Sequence, residues 1–227
     1  VTTFALVGAG PGLGLAAARR FGKAGHHVAL LSRSIQHQDN LVYELAQEDI
    51  HARGFTADVL GPDSLTTALQ EATDTMGPVE ILQYSPVPRA DFMKPVLETT
   101  AADLDDPLAF SVKGPLTCVN AVLPGMRELG TGTLLFVNGG SAVRPKDTVT
   151  GTSIAFAGES AYAQMLHTAL APENIHVAQL IVPGAISPDS ATSSPETLAE
   201  LLYGLHTDRD GFRHYAEPMP DPQDGTP

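Results

Sequence analysis

Phe4-Ala5-Leu6-Val7-Gly8-Ala9-Gly10-Pro11-Gly12-Leu13-Gly14-Leu15-Ala16-Ala17-Ala18 passes from a short apolar run through a glycine turn into residues spaced for a helix. His27 to Leu31 follows as a second apolar run after Gly25, which completes a βαβ unit of about 30 residues. In that setting the glycines have separate tasks. Gly8 permits a tight turn, and Gly12 lets the backbone approach a pyrophosphate at the positive helix N-terminus. Gly14 lets the helix lie close to the strand. The turn Gly8, Gly10, Gly12, Leu13 and Gly14 is therefore a candidate dinucleotide cradle.

The end of the second strand bears on which dinucleotide. NAD sites place a carboxylate there for the ribose, whereas NADP sites use arginine against the 2′-phosphate. Here the chain reads Ser32-Arg33-Ser34, with no carboxylate before Asp39. Guanidinium and hydroxyl groups suit a phosphate, so NADP(H) is expected over NAD(H).

Beyond Arg33 the alternation continues. Helices are expected near 39–48, 63–76, 101–129, 153–170 and 196–206, with 101–129 irregular near Pro115. Strands are expected near 52–57, 79–84, 133–137, 176–181 and 212–215. This pattern predicts a doubly wound α/β Rossmann fold, a parallel sheet of about seven strands with helices on both faces. Residues 1–216 are expected to form one dinucleotide-binding domain. Glu217 to Pro227, with four prolines and three acidic residues, is expected to be a flexible tail.

Composition narrows the partners. Thirteen Lys/Arg against 26 Asp/Glu leave little for a basic face, so neither nucleic acid nor an anionic membrane is expected. No apolar run reaches the roughly 20 residues that span a bilayer. Cys118 is the single cysteine, and Val1 to Gly14 shows no basic leader, so a cytoplasmic address is expected. The histidines form no metal-ligand spacing, and no metal is expected.

Taken together in order, four motifs resemble the short-chain dehydrogenase/reductase family across about Thr3 to Tyr215. Val7 to Gly14 is similar to its TGxxxGxG turn. Ala57-Asp58-Val59 is similar to the pair whose Asp meets the adenine. Leu170 to Val177 is similar to the approach to the sixth strand. Val182-Pro183-Gly184-Ala185-Ile186-Ser187 resembles the turn that holds the nicotinamide carboxamide. The family's Asn-Asn-Ala-Gly after the fourth strand stands here as Tyr84-Ser85-Pro86-Val87, which puts Ser85 and Pro86 beside the cofactor.

The departures fall on the chemistry. Ser111 stands where the family has a helix asparagine. Counting back from Leu170-Ala171-Pro172, the YxxxK tyrosine falls at Thr152 and the lysine at Phe156, and no YxxxK occurs in the chain. Threonine is a poor general acid near neutral pH, and phenylalanine carries no charge. The serine position falls at Gly139 or Gly140, leaving Ser141 and Tyr84 as candidate catalytic hydroxyls. The resemblance implies a carbonyl/alcohol oxidoreductase acting on a small molecule, and a homodimer or homotetramer. The departures keep two alternatives open: a non-redox isomerase or cyclase, and a catalytically silent NADP(H)-binding protein.

Overall fold

The computed structural model describes residues 1–219. Its strands are β1 Thr3–Val7, β2 His27–Ser32, β3 Ala52–Thr56, β4 Val79–Tyr84, β5 Gly132–Gly139, β6 Ile175–Val182 and β7 Arg213–Tyr215. They form one sheet in the order β3-β2-β1-β4-β5-β6-β7. Every pairing is parallel, so all carboxyl ends lie along one edge. The order reverses at β1, between β2 and β4. That reversal opens the crevice where doubly wound sheets bind ligands.

Strand periodicity sorts the core into two layers. Ala5 and Val7 of β1 face one way, with α3 (Pro62–Met76) and α5 (Gly114–Leu129). Phe4 and Leu6 face the other way, with α1 (Leu13–Lys23), α2 (Ile35–Ala46) and α7 (Pro195–Asp208). Phe4 stacks on Phe21 of α1 at 4.2 Å between ring centroids, which fixes the helix after the glycine turn over the sheet. The helix α6, Thr150–Leu170, covers β5 and β6 from the α5 side.

Two helix starts explain departures from the expected boundaries. α2 begins at Ile35 because Ser34 caps it, accepting the His37 backbone N–H at 3.3 Å. The segment 101–129 is helical in pieces: a 3₁₀ turn at Ala101–Leu104, α4 at Asp105–Leu108, a π turn at Ala109–Lys113, then α5. The expected irregularity falls just before Pro115. Proline supplies no N–H to the Ser111 carbonyl four residues back, and the ladder widens there.

Only the first residues of the expected tail are described. Residues 220–227 lie outside the described residues, but Glu217 and Met219 are held. The Thr192 hydroxyl donates to Glu217 at 3.0 Å, and Met219 packs against Ala142, Phe156 and Ile181. Partial burial of one methionine and one hydrogen bond hold the start of this segment against the domain.

Candidate functional site

Because the strands are parallel, the segments that leave their carboxyl ends converge. Two adjoining hollows result, sharing Gly8, Gly10, Pro86 and Val87. The first, of about 500 Å³, lies over β1–β3 and is lined by Ser32, Arg33, Ser34, His37, Ala57, Asp58 and Val59 among others. The second, of about 700 Å³, lies over β4–β6. Its walls include Gly12, Leu13, Gly14, Ser85, Asn138, Ser141, Lys146, Thr152, Phe156, Pro183, Gly184 and Ile186.

The residues of the first hollow fit a phosphorylated dinucleotide. Gly10 and Gly12 face space: a Cβ at either would meet nothing within 4 Å. The α1 N-terminus has no side-chain cap and no acidic residue in its first turn, so its positive end is left for an anion. The Ser32 hydroxyl is buried without a hydrogen-bond partner. Arg33 is exposed at the rim and makes no ion pair among the described residues. Asp58 also lines the hollow, with Oδ1 accepting the Leu60 N–H at 3.0 Å. Arg89 reaches the same hollow but is already paired with Asp91 and Asp106, each at 2.7 Å.

In the second hollow the two candidate hydroxyls part company. Ser141 lines the cleft, is 8% exposed, and has no protein hydrogen-bond partner among the described residues. Tyr84 does not line the cleft. Its ring lies in the core between β4 and α5, 1% exposed, and its hydroxyl donates to the Phe110 carbonyl. Burial, with Glu159 and Cys118 close by, holds that hydroxyl well above the usual phenol range. The expectation that Tyr84 faces the chemistry is therefore corrected. As the last residue of β4 it shares the parity of Leu82, which points toward α5.

Thr152 and Phe156 both line the second hollow. The Thr152 hydroxyl donates to the Val149 carbonyl at 3.0 Å, and the Phe156 ring would touch a Cβ at Gly139 at 3.8 Å. Ala185 is not among the lining residues, although Pro183, Gly184 and Ile186 on either side of it are.

Several residues with functional character went unnoticed in the sequence. Lys146 carries the one ionisable side chain lining the second hollow and has no ion-pair partner among the described residues. His37, in the first turn of α2, lines the first hollow. Glu159 of α6 is fully buried, next to the Asn138 amide and the Ser111 hydroxyl. Burial pushes its carboxyl up to about 8, although both neighbours favour the carboxylate. Even so, Glu159 Oε1 and Asn138 Nδ2 close no hydrogen bond of good geometry with any partner. Thr152, Phe156 and Glu159 recur at i, i+4 and i+7, the inward stripe of α6, and that spacing was the available signal.

Comparison with known proteins follows the geometry. Residues 2–199 match the family described as short chain dehydrogenase. The human dehydrogenase/reductase SDR family member 4 is 29% identical over 175 residues, 77% of this chain and 62% of that protein. The chain thus spans less than two thirds of that relative's length. A short-chain dehydrogenase from Rhodopseudomonas palustris superposes with a TM-score of 0.85 at 23% identity, covering 96% of this chain and 99% of its own. The L-sorbose reductase from Gluconobacter frateurii, complexed with NADPH and L-sorbose, superposes with a TM-score of 0.85 at 18% identity, over 94% of each chain. At these identities the two structures show the shared fold.

Proposed function

The chain belongs to the short-chain dehydrogenase family, and from that premise we propose an NADP(H)-dependent oxidoreductase interconverting a small-molecule carbonyl and alcohol. One observation carries the reading. Two hollows that share Gly8, Gly10, Pro86 and Val87 place the unpaired Arg33 guanidinium on one side of the open glycine turn and the unpartnered Ser141 hydroxyl on the other. The cofactor, when bound, supplies or accepts the hydride, which no side chain can do.

The chain's own residues position and polarise. Gly10, Gly12, Leu13 and Gly14 offer backbone N–H groups at a helix N-terminus. Ser32 and Arg33 meet the 2′-phosphate, and Ala57, Asp58 and Val59 frame the adenine. Ser85 and Pro86 with Pro183, Gly184, Ala185 and Ile186 enclose the nicotinamide end. Ser141 donates to the substrate oxygen, where a developing alkoxide would be stabilised. The NADPH-complexed fold neighbour agrees with this choice of cofactor. Leu116 of α5 with Ile154 and Met165 of α6 leave apolar side chains exposed, in keeping with assembly as a homodimer or homotetramer through these helices.

The test is a fluorescence titration with NADPH and NADH. Arg33→Ala is expected to weaken NADPH about tenfold or more, with little change for NADH, because a charge-assisted hydrogen bond contributes about 1.5–3 kcal/mol. Equal weakening of both cofactors would remove the argument for phosphate recognition. Turnover with a carbonyl panel separates the two hydroxyls. Ser141→Ala should lower kcat about tenfold or more at unchanged NADPH affinity. Tyr84→Phe should leave kcat alone and cost about 1 kcal/mol of stability, the worth of one internal hydrogen bond. The reverse pattern would return Tyr84 to the chemistry.

One observation favours a second reading, a cofactor-binding protein without turnover. Thr152 and Phe156 stand where the family's tyrosine and lysine are expected, and neither supplies a general acid. Tight NADPH binding with no oxidation by any carbonyl would select that reading.

A further inference from the structure

Glu159 has no part in the reading above, and its setting asks for an explanation. It sits on α6 three residues beyond Phe156, so it lies one helical turn beneath a side chain that forms the cleft wall. Asn138, at the end of β5, touches both spaces: it lines the cleft and its amide adjoins the Glu159 carboxyl. A carboxyl group with 1% of its surface exposed and an unpartnered oxygen is costly to keep in a core.

The groups facing it leave it isolated electrically. β5 presents the neutral Asn138 amide, and the π turn before α5 presents the Ser111 hydroxyl. β4 contributes Tyr84 and α5 contributes Cys118, both held protonated far above neutral pH by burial. On α6 itself the neighbouring buried residues are Phe156, Ser160 and Ala163. Ser160 turns to Gln179, which it meets at 3.0 Å, and to Arg213, which donates to it at 2.8 Å. Lys146 on the cleft wall and Arg213 behind Ser160 make no ion pair with Glu159 among the described residues. Both charges are the same whichever redox form is bound, so a positive charge arriving in the adjoining cleft is the event that would change its ionisation.

We infer that Glu159 is a proton-exchanging site coupled to the charge of the bound nicotinamide: the cationic, oxidised cofactor drives its proton off, and the neutral, reduced cofactor does not. This inference rests on the cofactor reading above. A nicotinamide ring carries a positive charge when oxidised and none when reduced, while the rest of the cofactor is the same. A unit charge about 10 Å away across a protein interior shifts an acid by roughly one pH unit. By linkage, whatever lowers the carboxyl's affinity for its proton must itself bind more tightly as the proton leaves. With the carboxyl at about 8 in the free protein, NADP⁺ binding should strengthen with pH and NADPH binding should not. The consequence is a site that discriminates between the two redox forms by pH, favouring retention of NADPH in acid and of NADP⁺ in base.

The measurement is the ratio of NADP⁺ to NADPH dissociation constants at pH 7 and pH 9, for the wild type and Glu159→Gln. Using the ratio cancels the titration of the 2′-phosphate, which affects both forms alike. The ratio should fall roughly fivefold in the wild type and stay flat in the variant. In weakly buffered solution near pH 7.5, an indicator dye should record about half a proton released per NADP⁺ bound by the wild type. A flat wild-type ratio, or a slope that persists in Glu159→Gln, overturns the inference. Absence of binding by either cofactor at any pH is a different failure, because it removes the cofactor reading first.

Discussion

Glu159→Gln should leave stability nearly unchanged at pH 4 and raise it progressively above about pH 4.5, by about 1.4 kcal/mol per pH unit, until the gain levels off near pH 8. The sign follows from proton counting. The unfolded chain releases the carboxyl proton near its ordinary value of 4.5, whereas the folded protein holds it to about 8. Between those values the folded state binds one proton more than the unfolded state, so the wild type loses stability as pH rises. Glutamine has nearly the same shape as the protonated acid and cannot ionise, so it escapes that loss. The group is fully buried, which leaves little solvent screening to reduce the effect. Denaturant unfolding at pH 5, 6, 7 and 8, compared between the two proteins, gives the slope directly. A stability difference that stays constant with pH would mean Glu159 is ionised in the folded state, paired in a way these contacts do not capture. It would also withdraw the coupling to the nicotinamide charge.

The fold was readable because its information is local. The five inner strands are mostly apolar runs, the edge strands β3 and β7 are not, and each observed strand lies within two residues of its expected span. α2 starts earlier than the sequence pattern predicts because Ser34, which also suits phosphate recognition, caps the helix. At the candidate site, the sequence points to the glycine turn and to Ser32-Arg33 through backbone freedom and position at a strand end, and Gly8, Gly10, Ser32 and Arg33 line the first hollow. Tyr84 turns away from the cleft because strand parity puts it on the same face of β4 as Leu82. Lys146 and Glu159 needed three dimensions. Lys146 reaches the cleft only because the loop before α6 folds back, with the Lys146 N–H donating to the Ser153 hydroxyl at 3.0 Å. Glu159 reads as a surface residue in an alanine-rich helix until the packing of α6 against β5 buries it.

Gly8→Ala should destabilise the protein by about 3 kcal/mol and abolish cofactor binding, while Gly10→Ala should weaken the cofactor and leave stability within about 0.5 kcal/mol. The two glycines are two residues apart in one turn, yet the physical demands on them differ. Gly8 has φ +91°, where an L side chain is strained. A Cβ there would also stand 2.4 Å from Pro86 Cα and 2.6 Å from Pro86 N. Those are backbone atoms at the end of β4, next to Ser85, whose N–H donates to the Val7 carbonyl at 3.0 Å. The collision cannot be relieved by rotating a side chain, so β1 and β4 would have to separate at the topological switch that forms the cleft. At Gly10 a Cβ meets nothing within 4 Å. The protein has no structural use for glycine there, and the reason for it must be what approaches from outside. Thermal unfolding together with NADPH titration separates the roles. Loss of stability in both variants would make the turn a packing device, whereas undiminished NADPH affinity in Gly10→Ala would place the pyrophosphate elsewhere.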